Sequence, residues 1–243
     1  MTSFFYNLGR KAGHTFWKGH WWYKSLFGSE KEAIQAEYIV GRQIAESIGL
    51  HFDKHSNKKL QYYVDSIGLH LTSKLRNKQR IFHFQILSNA QLNAFALPGG
   101  FIYCTNSLLQ LCQLNKDEIA FVLAHEIAHV VKMHPFKRVL ATSSLHILSN
   151  LGRTSSILNN ITKQAIQKAL QSGYSQDQES EADRFAVRMM MVAGFDPNRA
   201  IRFLEKLKGT TSEKVSISNY FSSHPAFNER IRIVKEVIKQ KSQ

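Results

Sequence analysis

Residues 116–133 read Lys-Asp-Glu-Ile-Ala-Phe-Val-Leu-Ala-His-Glu-Ile-Ala-His-Val-Val-Lys-Met, between Asn115 and a proline at 135. Asn115 is a helix N-cap with Glu118 three residues on, and Asp117 and Glu118 suit the positive end of the helix dipole. Pro135 marks the end of the helix. Ile119, Val122, Leu123 and Val130 give it an apolar face. His125 and His129 are four residues apart, so they share one face about 6 Å apart along the axis. Two imidazoles so placed can bind one tetrahedral Zn²⁺. Glu126 projects beside them, where it can take a proton from metal-bound water. A well-capped, half-buried helix has no structural use for this trio.

A catalytic zinc needs a third protein ligand and an open position. Downstream, Glu179-Ser180-Glu181-Ala182-Asp183 brings carboxylates on a second helix. Glu179 and Asp183 share a face, so if Glu179 binds metal, Asp183 is placed one turn along to hydrogen-bond a ligand imidazole. By spacing alone, each of these could be ordinary surface charge. Glu181 points elsewhere, toward solvent.

Around this pair the chain reads as mainly helical. Ser29 and Glu32 form a capping box for a helix over 30–50, and a second helix covers about 56–76. Strand-like runs Ile81–Leu87 and Ala94–Leu97 follow, then the turn Pro98-Gly99-Gly100, a third strand Phe101–Cys104, and helix again near Ser107. No acidic residue occurs from Ile127 to Gln176, a stretch with helical patches at Leu145–Leu151 and Ile161–Leu170. Helices then run from Gln176 to Ala193, stopped by Gly194, from Pro197 onward, and over Ala226–Gln240.

H-E-x-x-H, then E-x-E-A-D on a later helix, then Ser223-His224-Pro225 with Arg230 and Ile231, resemble the zinc metallopeptidases of the HtpX and CAAX prenyl protease type. Asn93-Ala94-Phe95-Ala96-Leu97-Pro98-Gly99-Gly100, ahead of the motif helix, is similar to theirs too, and so is the order of the four blocks. The resemblance covers about residues 30–240. It implies an α+β, mainly helical gluzincin domain with a small edge-exposed β-sheet. It also implies one Zn²⁺ per chain on His125, His129 and Glu179, with Glu126 as general base and zinc-activated water as nucleophile. A histidine and an arginine six residues apart recur at this place in the family. His224 and Arg230 accordingly join Glu126 as expected catalytic residues, His224 donating to the oxyanion and Arg230 positioning the His224 loop or adding positive charge nearby. The substrate is a polypeptide, expected to lie as an extended strand along Asn93, Ala94, Phe95 and Ala96 or along Phe101–Cys104, whichever forms the sheet edge. The membrane-spanning helices of the prenyl protease members have no counterpart here. In that respect the chain is closer to soluble or peripheral members and to the Oma-type quality-control proteases, which act on unfolded or membrane-associated proteins.

The 243 residues suffice for one catalytic domain, 29–243, preceded by an arm, 1–28. The arm holds all three tryptophans and no acidic residue before Ser29, an aromatic and basic composition that suits contact with an anionic membrane. Packing of its aromatics on the domain or on a second subunit is the plainer account. No run of about 20 apolar residues and no secretory signal is present, so a cytoplasmic or peripherally membrane-associated protein is expected. Cys104 and Cys112 lack a ligand pattern and read as buried thiols. The net charge of +14 raises a competing assignment, a basic module for membrane or nucleic acid with a structural zinc. Structural sites usually have four closed ligands, commonly with cysteine, and no nucleic-acid signature is found, so a peptidase is preferred and nucleic acid is not the expected partner.

Overall fold

A computed structural model describes residues 29–49, 52–142, 173–210, 224 and 227–240. The expected arm and the patches at Leu145–Leu151 and Ile161–Leu170 lie outside the described residues. The order is α1 (Glu30–Gly49), α2 (Lys58–Thr72), β1 (His83–Leu87), β2 (Ala94–Leu97), a 3-10 turn (Pro98–Gly100) and β3 (Phe101–Thr105). It continues with α3 (Asn106–Leu111), α4 (Lys116–Val131), α5 (His134–Thr142), α6 (Gln176–Val192), α7 (Asn198–Thr210) and α8 (Phe227–Gln240). This is the expected α+β class, mainly helical with one small sheet. Among the described residues no helix is long and apolar enough to cross a membrane.

The sheet order is β1–β3–β2, with β1 parallel and β2 antiparallel to β3. Phe101–Thr105 is therefore central, and of the two candidate strands Ala94–Leu97 is the one at an edge. The other edge, β1, is covered: the Gln61 carboxamide donates to Phe84 O at 2.9 Å and accepts from Ile86 N at 3.0 Å. Lys54 also bridges Leu87 there. Thr105 N donates to Asn93 O, which makes Asn93–Thr105 a bonded pair. Antiparallel alternation then turns the N–H and C=O of Ala94 and Ala96 away from β3.

Helix α1 braces the end of this edge. An added Cβ on Gly41 would lie 1.7 Å from Pro98 O, and one on Gly99 would lie 2.5 Å from the Tyr38 Cα. Gly99 also has φ 78°, a left-handed conformation that glycine adopts without penalty. Buried Glu37 accepts from Gly99 and pairs with Arg80, tying helix, turn and the approach to β1 together.

Helix α4 runs through the centre, against α2, α6, α7 and β2. Its cap is as expected, with the Asn115 side chain accepting from the Asp117 and Glu118 amides. Two expectations need correction. The helix is buried all round from Glu118 to Val130 rather than on one face, because Lys206 of α7 reaches the Glu118 carboxylate at 2.7 Å and replaces water there. Pro135 does not simply end it. Met133 takes φ 60°, and Pro135 then stands in the first turn of α5, where its missing N–H costs nothing. Cys104 and Cys112 are buried free thiols, and burial pushes Cys104 up to about 12.

Candidate metal centre

Four elements converge on one buried point. Helix α4 brings His125, Glu126 and His129, and α6, started by a Ser175–Gln178 capping box, brings Glu179 and Asp183. His224 comes from the segment ahead of α8, and Arg230 from the first turn of α8. All seven side chains are buried.

The donor atoms of His125, His129, Glu179 and His224 lie within 4.8 Å of one another. Nε2 of His125 is 3.0 Å from Nε2 of His129 and 3.3 Å from Nδ1 of His224. Glu179 Oε1 is 3.3 Å from His129 Nε2 and 2.9 Å from His224 Nδ1. Four donors around one tetrahedral ion at zinc–nitrogen distances stand about 3.3 Å apart. The charge count agrees. With the histidines neutral, as metal ligands must be, Glu126, Glu179 and Asp183 are opposed by one buried cation among the described residues of the cluster, Arg230, so two negative charges stand in excess. A dication fits that deficit.

Asp183 sits where its spacing to Glu179 suggested. Its carboxylate accepts from Nε and Nη2 of Arg230, both at 2.8 Å, and lies 2.9 Å from His125 Nδ1. Arg230 Nη1 also reaches Glu179 Oε2 at 3.2 Å. Burial opposes the charge on Asp183, yet Arg230 holds its carboxyl below the usual range. Burial likewise opposes the charge on Glu179, but His224, Arg230 and His125 keep it well below. Burial and Arg230 work against a proton on His125, but Glu179 and Asp183 outweigh them and raise it to about 9. His129 is driven well below its ordinary value, chiefly by burial.

Glu126 differs from the other carboxylates. Neither of its oxygens has a hydrogen-bond partner among the described residues, although both are buried. The nearest titratable nitrogen is His224 Nε2, at 3.5 Å. His224 thus has one ring nitrogen in the donor cluster and the other facing Glu126. Its ring stands where a water polarised between the cluster and Glu126 would sit.

Two neighbours of His129, Tyr174 and His134, belong to no motif. Tyr174 stacks on it at 3.8 Å between ring centroids, with the Arg138 guanidinium 4.1 Å from the Tyr174 centroid. Nδ1 of His129 lies 2.9 Å from Nδ1 of buried His134. Glu181, expected to face solvent, is half exposed but engaged: Oε2 is 3.2 Å from His134 Nε2, and Oε1 is 2.6 Å from Lys132 Nζ. Asn93, Ala94, Phe95 and Ala96 lie on or beside edge strand β2, which packs on α4.

The model of Peptidase family M48 matches residues 58–238. The beta-barrel assembly-enhancing protease of Yersinia pestis is 29% identical over 213 residues, covering 83% of this chain and 43% of that protein. The mitochondrial metalloendopeptidase OMA1 of Schizosaccharomyces pombe is 29% identical over 156 residues, 64% of this chain and 46% of that one. Its Saccharomyces cerevisiae namesake is 34% identical over 152 residues, 58% of this chain and 42% of that one. The chain spans less than half the length of these relatives, and the Oma-type likeness read from the motifs holds. With one family match running from α2 to α8 through every residue of the buried cluster, the chain belongs to peptidase family M48, a family of metallopeptidases.

Proposed function

We propose that the chain is a zinc-dependent endopeptidase of the protein quality-control type, acting on unfolded or membrane-associated polypeptides. One observation carries the reading: a fully buried carboxylate, Glu126, accepts no hydrogen bond from the described residues and stands beside a convergent set of metal donors. Such a group is retained at a cost and calls for a chemical purpose. His125, His129 and Glu179 would hold the ion, which suits two imidazoles and a carboxylate. Zinc, when bound, supplies a Lewis acid for the scissile carbonyl and makes water acidic enough to attack at neutral pH.

Glu126 takes the proton of the attacking water and returns it to the leaving amine. Asp183 accepts from Nδ1–H of His125, which leaves Nε2 free for the metal. Arg230 holds Asp183 bidentately and balances Glu179, and so fixes α6 and α8 around the cluster. The substrate pairs as an added strand with the outward N–H and C=O groups of Ala94 and Ala96, beside Asn93 and Phe95. Backbone pairing reads little side-chain sequence, as suits unfolded segments. His224 fills the fourth corner in the described arrangement. When water and substrate take that corner, the ring moves aside and its N–H donates to the oxyanion. Residues 1–28, aromatic and basic, are assigned to peripheral contact with an anionic membrane.

The test is cleavage of casein by the wild-type chain with and without chelator, beside Glu126→Gln. Cleavage that needs both metal and Glu126 is expected. Cleavage insensitive to chelator would overturn the reading, as would a Glu126→Gln form with full zinc content and unimpaired turnover.

A further inference from the structure

Of three neighbouring carboxylates on α6, two face the histidines of α4, and the third, Glu181, points beside them toward Lys132 and His134. Glu179 joins the donor cluster, and Asp183 sets the outer nitrogen of His125. The outer nitrogen of His129 meets no carboxylate among the described residues. It lies 2.9 Å from Nδ1 of His134. Beyond that ring, His134 Nε2 is 3.2 Å from Glu181 Oε2, and Lys132 holds the other Glu181 oxygen.

We propose that His134 is a positioning residue for His129, and that Glu181 and Lys132 fix through it which nitrogen of His129 is offered to the metal. The inference rests on the site binding a divalent metal.

Two ring nitrogens 2.9 Å apart share one proton, so one donates and the other accepts. An ionised carboxylate only accepts, so Glu181 requires the N–H at Nε2 of His134. A neutral imidazole has one N–H, so Nδ1 of His134 is the acceptor. The shared proton then belongs to Nδ1 of His129, and Nε2 of His129 is left bare. That Nε2 is the atom 3.0 Å from His125 Nε2 and 3.3 Å from Glu179. The opposite tautomer would put an N–H into the cluster and shut the metal out.

The remaining freedom of the His129 ring is removed from its face. Tyr174 stacks on it at an interplanar angle of 17°, and Arg138 lies over the Tyr174 ring. His129 and Arg138 stand so close to the Tyr174 centroid that they must take opposite faces. The backbone explains why His134 reaches back. The left-handed Met133 folds the chain between α4 and α5, so the first residue of α5 returns beneath His129.

Zinc affinity by chelator competition, and the visible absorption of the Co²⁺-loaded protein, test this on the full chain without relying on activity. His134→Ala should weaken Zn²⁺ binding by about 10–100-fold and shift the Co²⁺ bands. His134→Asn, whose carboxamide oxygen can accept from His129, should recover most of both. Glu181→Ala changes a half-exposed side chain, so its fold is secure, and it should lose affinity in the same direction by less. Wild-type affinity and spectrum in His134→Ala would overturn the proposal, and so would a loss in His134→Asn equal to that in His134→Ala. If His134→Ala does not fold, unchanged affinity and spectrum in Glu181→Ala would overturn it. A wild-type chain that took up neither ion would overturn the metal reading and this proposal with it. Normal wild-type uptake with an unaffected His134→Ala would overturn this proposal alone.

Discussion

Glu126→Gln should make the metal-free protein more stable while it abolishes turnover. The carboxylate is fully buried and, among the described residues, accepts no hydrogen bond; it shares its pocket with two further carboxylates, one guanidinium and His125, whose proton is kept to about pH 9 without metal, so one negative charge is left unbalanced. An uncompensated buried charge costs several kcal/mol even after relaxation. A glutamine in the same place still leaves an unbonded amide, worth about 1–3 kcal/mol. The net gain is about 2 kcal/mol, which for a chain of this size raises Tm by about 4–8 °C. With zinc bound the dication already offsets the carboxylate, and the gain should fall below about 1 kcal/mol. Thermal melts of wild-type and variant chains, chelated and zinc-loaded, give all four values. A metal-free Glu126→Gln protein melting at or below wild type would refute the reasoning, because Glu126 would then have a compensating partner.

Metal-free protein should lose stability as pH rises from about 6.5 through 9. His125 is raised in the folded state to about 9, so its contribution is complete below the unfolded value and disappears above the folded one. The loss is about 3 kcal/mol, and zinc-loaded protein, in which the proposed function makes His125 a neutral ligand, should not show it in chemical denaturation across that range. Asp183→Asn should weaken zinc binding by about 10–100-fold in chelator competition, and unchanged affinity would separate Asp183 from the metal site. His224→Ala should lower kcat by about 10²–10³-fold with zinc content intact. Faster turnover would mean instead that the ring's main effect is to hold the fourth corner. Ala96→Pro removes an outward N–H without touching the pairing to β3, so it should raise KM and leave zinc in place. Unchanged KM and kcat would show that substrate does not pair there.

What was legible in the sequence is what short-range physics determines. The α4 cap, the shared face of His125 and His129, and the i, i+4 relation of Glu179 to Asp183 follow from 3.6 residues per turn and one polar cap. Long-range partners were not legible. Periodicity makes α4 half-exposed, because Ile119, Val122, Leu123 and Val130 mark out one apolar face; Lys206, which neutralises buried Glu118, lies 88 residues on. Strand hydrophobicity cannot show that β3 is central and β2 an edge, since sheet order depends on how the chain crosses over. His134 was missed for a related reason. Its position on the α4 helical wheel is meaningless, because the left-handed Met133 ends that wheel one residue earlier.

The unequal support of the two α4 histidines follows from charge. His125 is oriented directly by Asp183, a buried carboxylate that Arg230 neutralises. Repeating that device at His129 would bury a fourth carboxylate and raise the uncompensated charge to three, more than one dication offsets. A second buried arginine would restore the balance at a further desolvation cost. His134 avoids both. As a neutral ring it offers a hydrogen-bond acceptor without charge, while the carboxylate that sets its tautomer stays half exposed and paired with Lys132. Glu181 is thus kept off the face shared by Glu179 and Asp183 because its charge is needed one ring away from the metal. On the helical wheel of α6, that position is the one a solvent-facing residue would take.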